Sequence, residues 1–186
     1  MAPIDPARGV RLRPLTADDL DAGQRLSTEA GWNQNAADWR YMLASGPGWG
    51  YEDTFGRLCA TAMILPFEDK LAWICMVLVT TSWRKRGLAT ALLRHCIDEA
   101  ELKGWLPGLD ATDAGRQVYL PLGFRDIFPL TRLVAEQARL PASHSRVSCR
   151  PMQNADVAAV TQLDAEVAGV DRGAMVRSLH DRAPAL

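Results

Sequence analysis

The sequence predicts a mixed α/β domain (the α+β class) with a mostly antiparallel sheet flanked by helices. Residues 49–80 alternate between apolar runs and turn-forming clusters at 53–56 and 67–70, which is typical of consecutive hairpin strands. Residues 71–80 are almost all apolar, as expected for a strand covered on both faces. Apolar residues then recur at helical spacing, which predicts a long helix closed by Gly104: Leu88, Ala89, Leu92, Leu93, Cys96, Ile97 and Ala100.

The remaining elements follow in order along the chain. Residues 10–13 read as a short strand, and the pair Thr16 and Asp19 resembles a capping box that opens a helix running towards residue 30. Asn35 and Asp38 repeat this arrangement ahead of a second helix that ends near residue 46. After the long helix we expect a strand at 106–111, a short helix capped by Asp113, and a last strand at 124–134.

Composition excludes several classes of protein. The chain has 186 residues, 48% apolar and 23% charged, with a net charge of −1, so no general attraction for nucleic acid or an anionic membrane is expected. No signal peptide and no apolar run of about 20 residues is visible, and we expect a cytoplasmic protein. The cysteines at 59, 75, 96 and 149 form no CxxC pair, so we expect buried free thiols and no metal.

The segment between the apolar strand and the long helix carries the clearest chemical signal. It reads Arg84-Lys85-Arg86-Gly87-Leu88-Ala89-Thr90. A strand that turns sharply into a helix exposes unpaired backbone N–H groups at the positive end of the helix dipole, which suits a pyrophosphate. A glycine lets a phosphate approach the backbone closely. The alternative is a solvated basic turn that merely starts a helix.

Two motifs resemble those of the GNAT superfamily of N-acyltransferases. Arg84-x-x-Gly87-x-Ala89 is similar to its R/Q-x-x-G-x-G/A acyl-CoA signature, in the same place between a strand and a helix. Downstream, Tyr119-Leu120-Pro121-Leu122-Gly123-Phe124 looks like the Y-x-x-x-G-F element that closes the core of that fold. The resemblance covers roughly residues 10–136.

The resemblance implies an N-acetyltransferase that uses acetyl-CoA as co-substrate, without a metal. In the family, the strand before the signature splays from its neighbour and pairs with the pantetheine arm. This maps here onto Met76 to Val79, with Val77, Leu78 and Val79 as the cofactor-binding positions. The backbone of residues 84–89 would hold the pyrophosphate, with Thr90 nearby. Tyr119 would protonate the departing thiolate, and the N–H of Val79 would polarise the thioester carbonyl during direct attack by an amine.

Other site features are less specific. Many relatives carry Asn and Ala where this chain has Thr112 and Gly115, so the pantetheine-facing positions on that side depart from the family pattern. No general base stands out, and Glu68, Asp69 and Asp110 are more simply structural or solvated. An acceptor pocket could draw on several aromatic residues, although core packing is the plainer interpretation: Trp32, Trp39, Trp49, Tyr51 and Trp73. The acceptor, a small-molecule amine by expectation, is not identified.

The chain also contains an internal repeat. A shift of 137 residues aligns 13–30 with 150–167 with six identities, among them Asp19 with Asp156 and Glu29 with Glu166. We therefore expect a GNAT domain at 8–137, a linker at 138–147, and at 148–186 the first strand and helix of a second copy, as in tandem GNAT proteins. Residues 164–172 fit the D-x-x-x-x-G-x-D-R-like run that opens the second half of such proteins. The alternative is an ordinary amphipathic helix.

Two rival functions remain open. One is an acyl-CoA-binding or sensing module without catalysis, and the other a phosphate-binding domain unrelated to acetyl-CoA. The nucleotide-binding motif G-x-x-x-x-G-K-[ST] is absent, which disfavours the second. A homodimer is plausible through the apolar residues of the second repeat, Val157, Val160, Leu163 and Val167.

Overall fold

A computed structural model describes residues 9–68, 70–134 and 150–182. Its centre is one sheet of five strands in the order of the chain: β1 (Val10–Pro14), β2 (Gly48–Asp53), β3 (Leu58–Phe67), β4 (Leu71–Val79) and β5 (Leu106–Gly108). β1 to β4 pair antiparallel, and β5 joins β4 in parallel. The predicted fold class is confirmed.

Helices cover both faces of this sheet. α1 (Leu20–Glu29) and α2 (Ala36–Ser45) pack on one face, and α3 (Leu88–Lys103) packs on the other. α4 (Asp113–Tyr119) follows β5, while α5 (Val157–Ala168) and α6 (Gly173–Arg182) form the carboxyl-terminal part. In the described chain no helix combines the length and apolar character needed to cross a membrane.

The helix boundaries follow the local sequence. Asp19 accepts a hydrogen bond from the Thr16 backbone N–H at 2.8 Å, closing the first capping box. Asn35 accepts from the N–H groups of Ala37 and Asp38, so the second predicted box is also present. Gly104 ends α3 in the left-handed region, with φ of 70°, which a residue without Cβ adopts at no steric cost.

Three expectations for the region after α3 are corrected. β5 ends at Gly108 rather than at residue 111, because its ladder with β4 stops there. The cap of α4 is Thr112, whose hydroxyl accepts from Gly115 N–H at 3.1 Å, and not Asp113. The last strand predicted at 124–134 is absent: that segment joins no described ladder, and Pro129 within it has no N–H to donate.

The carboxyl-terminal part resembles the start of the domain in its polar contacts and helices, although the described residues 150–153 do not form the strand predicted there. Arg13 donates two hydrogen bonds to the Asp19 carboxylate, of 2.8 and 2.7 Å, and Arg150 donates two to the Asp156 carboxylate, of 2.6 and 2.7 Å. Each arginine also donates to the carbonyl of the proline that follows it, at 3.1 Å. After 137 residues, the bounds of α6 correspond to those of α2, so a second helix follows where only one was predicted.

Several predictions fall on residues that the structure does not describe. These are the linker at 138–147, the outer limits of the two predicted domains, Cys149 and Asp69. They remain predictions.

The contact between α1 and α2 depends on one buried polar pair. Trp39 is fully buried, and its indole N–H donates to Ser27 Oγ at 2.8 Å. The ring lies flat against Gly23, where an added Cβ would come within 2.6 Å of it. A glycine and a hydroxyl on one face of α1 therefore fit the largest side chain of the core.

We expect Ser27→Ala to lower the free energy of unfolding by about 1–3 kcal/mol, because it leaves the buried indole N–H without an acceptor. Urea denaturation followed by tryptophan fluorescence measures this. The matched control is the neighbouring Thr28→Ala, since that exposed hydroxyl bonds to the Gln24 carbonyl of its own helix. Equal losses in the two variants would contradict the assignment.

Candidate functional site

Among the described residues, the outer edge of β4 lacks a partner strand over most of its length. β5 pairs with β4 through three residues, from Leu71 with Leu106 to Trp73 with Gly108. From Ile74 to Val79, no described strand lies on that side of β4. Backbone groups on an open strand edge can pair with an extended ligand, as another strand would.

A β-bulge sits in the open part of β4. The register with β3 shifts between Thr61 and Met63, and Met76 has φ of +50°, unusual for a residue with a side chain. The buried hydroxyl of Thr61 donates to the Met76 carbonyl at 2.8 Å. This bond satisfies a carbonyl group that the bulge takes out of the regular ladder.

The bulge decides which way the end of β4 faces. Before it, Ala72 and Ile74 point towards α3, and Cys75 points towards α1 and α2. After it, the odd-numbered Val77 and Val79 point towards α3 instead. One extra residue therefore shifts the alternation of β4 by one position.

The backbone N–H of Val79 faces the open edge. Thr80 N–H donates to the Cys59 carbonyl on β3 at 2.9 Å, so the neighbouring Val79 directs its own N–H away from β3. In agreement, the Val79 carbonyl accepts from Arg84 Nε at 3.0 Å, outside the β3–β4 ladder. By the same alternation, Leu78 pairs with Thr61, and its backbone groups are directed to β3. The sequence predicts instead that Leu78 faces the cofactor at the open edge.

The chain then turns tightly into α3. Residues Thr81–Trp83 form a 3-10 turn, and both Lys85 and Gly87 adopt left-handed backbone conformations, with φ of 60° and 81°. Arg86 donates to the Ser82 carbonyl at 3.2 Å and stacks on the Trp83 ring, with 4.5 Å between guanidinium carbon and ring centroid. Left-handed residues in such a turn make concavities lined by N–H groups that bind anions.

The amino terminus of α3 completes the turn. Ala91 N–H donates to the Gly87 carbonyl at 3.0 Å, so the N–H groups of Leu88, Ala89 and Thr90 precede the first intrahelical bond. α3 has 16 residues, long enough for the dipole to leave partial positive charge at this end. The side chain of Leu88 is buried in the core, and only its backbone is available to a ligand.

Tyr119 is half-buried beside Phe124 at the end of α4. The two ring centroids are 6.1 Å apart, and Tyr119 packs against the same core cluster as Val77 and Val79. Burial raises the pKa of the Tyr119 phenol, which stays protonated at neutral pH. Its ring lies over Gly115, where an added Cβ would be 2.9 Å from the hydroxyl. The two departures noted in the sequence therefore have structural roles, Thr112 as helix cap and Gly115 as space for this ring.

Glu29, which lies outside both sequence motifs, also contacts this region. Its carboxylate accepts from the Thr80 hydroxyl at 2.7 Å and from the Thr81 N–H at 2.5 Å. These bonds tie the end of α1 to the turn after β4. The identity of Glu29 with Glu166 across the internal repeat was the one signal that could have drawn attention to it.

The carboxylates considered as bases occupy different places. Glu68 lies in the turn before β4, at the opposite end of that strand from Val79, and pairs with Lys70 at 3.4 Å. Asp110 is exposed just after β5. β5 runs parallel to β4 but its ladder ends opposite Trp73, so Asp110 follows the end of β5 without a ladder contact to Val79.

The aromatic residues do not line one common pocket. Trp39 and Trp32 belong to the cluster under α1 and α2, whereas Trp49 and Tyr51 belong to the cluster under α3. Trp49 meets the His95 ring edge-on at 4.6 Å, and the fifth aromatic, Trp73, packs over Gly108. Core packing, the plainer interpretation in the sequence, describes them better, and their positions give no support to an aromatic acceptor pocket.

The described cysteines are poor nucleophiles. Burial raises the pKa of Cys59 to about 11 and those of Cys75 and Cys96 to about 12. A thiol with so high a pKa carries very little thiolate at neutral pH. The three thiols are free, and the arrangement gives no support to a cysteine-linked acyl intermediate on them.

Solved structures share this fold. An acetyltransferase from Trypanosoma brucei superposes with a TM-score of 0.56 at 21% identity, over 68% of this chain and 99% of its own. A provisionally named acetyltransferase from Clostridium acetobutylicum, solved with acetyl-CoA, gives 0.55 at 22% identity over 67% and 96%. A provisionally named acetyltransferase from Pyrococcus horikoshii gives 0.69 at 17% identity, over 94% of this chain and 63% of that longer one.

Sequence comparison gives the family. No protein of curated function matches the chain. The sequence profile of the acetyltransferase (GNAT) family matches residues 14–124, more than half of the chain, from the end of β1 to the glycine and phenylalanine that follow α4. On this match and on the shared fold, the chain belongs to the GNAT family of acetyltransferases.

Proposed function

We propose that this protein is an N-acetyltransferase that moves the acetyl group of acetyl-CoA to the amine of a small-molecule acceptor. One observation supports the proposal most directly: the open edge of β4 continues without interruption into the left-handed turn and the amino terminus of α3. An extended thiol arm and a pyrophosphate need these two surfaces side by side.

Each part of the cofactor has a proposed partner. The open edge of β4 at Val77 is the proposed partner of the pantetheine amide groups, and the outward-facing N–H of Val79 is left for the thioester carbonyl. The backbone N–H groups of residues 84–89 suit the pyrophosphate, with the Thr90 hydroxyl in the first turn of α3. The exposed side chains of Arg84, Lys85 and Arg86 add positive charge to a protein of net charge −1.

The proposed reaction is a direct transfer. The amine nitrogen forms a bond to the thioester carbon, and the N–H of Val79 stabilises the negative charge that develops on the carbonyl oxygen. The nitrogen loses a proton to solvent as the carbon–sulfur bond breaks. Tyr119 donates its phenolic proton to the leaving sulfur and regains one from solvent, because phenol and thiol have similar basicity. The products are an N-acetylated amine and free CoA.

We expect Gly87→Glu to abolish acetyl-CoA binding in isothermal titration, because it places bulk and negative charge in the proposed pyrophosphate site. The matched control is Gly104→Glu, at the other end of α3, where the backbone is equally left-handed and the space is open. The control should bind like the parent. A parent that does not bind acetyl-CoA, or a Gly87→Glu variant that does, would overturn the proposed site.

Replacing Tyr119 with Phe should lower kcat about 100-fold and leave acetyl-CoA affinity unchanged, since it removes a proton donor and keeps the ring. Steady-state rates with a responsive amine, alongside titration of acetyl-CoA, separate the two effects. An unchanged kcat would exclude Tyr119 as the acid. Binding of acetyl-CoA by the parent without transfer to any amine of a broad panel would favour the non-catalytic alternative.

A second variant perturbs Tyr119 without replacing it, as a check that a lower kcat does not result from unfolding. Gly115→Ala adds a Cβ that must displace the Tyr119 hydroxyl, yet alanine favours a helix more than glycine does. It should therefore slow transfer without lowering thermal stability.

We further propose that residues 150–182 are the opening of a second GNAT repeat. The copied Arg150–Asp156 pair and the matching positions of α5 and α6 support this, as does the fit to a longer chain. Leu26 and Met42 are buried under the first sheet, whereas their equivalents Leu163 and Leu179 are 61% and 50% exposed. The α5–α6 hairpin thus shows an apolar face whose counterpart in the first repeat covers a sheet.

That exposed face predicts self-association of the chain. We expect sedimentation velocity to detect a homodimer, and Leu163→Glu to make it monomeric by placing a charge on the apolar face. Leu102→Glu, which changes a leucine on α3 that is even more exposed than Leu163, is the control. A monomeric parent would exclude the dimer and leave the α5–α6 face as a feature of the repeat alone.

A further inference from the structure

The contact of Glu29 joins two parts of the proposed site that lie far apart in the chain. Its two carboxylate oxygens accept from the Thr80 hydroxyl and the Thr81 N–H, 51 and 52 residues away. α1 ends at Glu29 on one face of the sheet, and Thr80 directly follows Val79 at the end of β4. No other hydrogen bond described here links α1 to this turn.

Glu29 acts as a helix cap supplied by a different element. Thr81 N–H is the first donor of the 3-10 turn, and the Thr80 side chain does not cap it. The carboxylate takes both groups and so fixes Thr80 and Thr81 together. Thr80 is also bonded to β3 through its backbone N–H, which leaves little freedom to Val79 before it or to Arg84 after the turn.

Charge alone does not account for a carboxylate at this place. The hydrogen bonds from Thr81 and Thr80, helped by the charge of Arg84, lower the pKa of Glu29 to about 2, so it is ionised at neutral pH. An anion close to Arg84 works against binding a pyrophosphate. Any contribution of Glu29 to cofactor binding would therefore come from the geometry that its hydrogen bonds to Thr80 and Thr81 impose.

We propose that Glu29 is a positioning residue of the transfer reaction, holding the Val79 N–H and the Arg84–Gly87 turn in the geometry that receives acetyl-CoA. The inference rests on the acetyl-CoA function proposed above and adds to it a residue outside both sequence motifs. Glu29 does not itself contact the cofactor in this scheme. It acts through Thr80 and Thr81.

The direction in which Glu29→Gln changes the affinity for acetyl-CoA distinguishes a positioning role from mere proximity. Glu29→Gln removes the charge and keeps one acceptor oxygen, while the new amide N–H₂ group faces a second donor. If Glu29 is only a nearby anion, the variant should bind acetyl-CoA as tightly as the parent or more tightly. If it positions the turn, the variant should bind more weakly.

The experiment titrates the full chain with acetyl-CoA and measures transfer rates for three variants. We expect Glu29→Gln to weaken binding about tenfold, the scale of one lost hydrogen bond to a charged group, and to lower kcat. Thr80→Val should weaken acetyl-CoA binding by a smaller factor. The double variant, Glu29→Gln with Thr80→Val, should bind acetyl-CoA no more weakly than Glu29→Gln alone. Glu166→Gln is the matched control, because Glu166 is the repeat equivalent and bonds to Gln162 within its own helix at 3.0 Å. It should stay within about twofold of the parent, as exposed substitutions usually do.

Further readouts make each result decisive. Amide exchange at Thr81 should become faster in Glu29→Gln, while the pH profile of kcat/KM keeps the shape of the parent. Unchanged or tighter binding by Glu29→Gln would overturn the inference and leave the proposed function standing. Loss of the acidic limb of the profile would also overturn it, by making Glu29 a general base. A parent that does not bind acetyl-CoA at all would instead refute the proposed function.

Discussion

The hydrogen bond from the Thr61 hydroxyl to the Met76 carbonyl is the contact on which the arrangement of the site depends. It holds a bulge in the middle of β4, where Met76 adopts a left-handed backbone that a residue with a side chain avoids at a cost of about 1–2 kcal/mol. The bulge turns Val77 and Val79 towards α3 and sets the direction in which the end of β4 presents its N–H groups. Without the bulge, Val79 would direct its backbone N–H to β3 instead of to the open edge.

The turn after β4 inherits this geometry. It has little apolar surface of its own, since Thr81, Ser82 and residues 84–86 are exposed. Local polar contacts hold it instead: the bond between Arg84 and the Val79 carbonyl, the stacking of Arg86 on Trp83, and the carboxylate of Glu29. A loop of this kind can be shaped for a ligand while the core below it, centred on Leu88 and Leu92, stays closely packed.

Much of the fold could be predicted because its signals are local. The two capping boxes, the helical spacing of α3 and the glycine that ends it lie within a few residues of one another. The bulge could not be predicted, since nothing distinguishes Met76 within an apolar run. The bond between Glu29 and Thr80 is a contact across the fold, and the short ladder of β5 depends on how far two strands diverge. The strand expected at 124–134 failed because alternating apolar residues need a partner edge.

The open edge of β4 has a consequence for solubility. Part of this edge has no partner strand in the described chain, although Arg84 already binds the Val79 carbonyl. N–H and C=O groups left unpaired on a strand edge are a template on which another chain can add a strand, and apolar edges of this kind promote aggregation. A bound ligand that occupies the edge both removes the template and stabilises the folded state in proportion to the logarithm of its concentration. The concentration of that ligand during expression and storage would then govern how long the protein remains monodisperse.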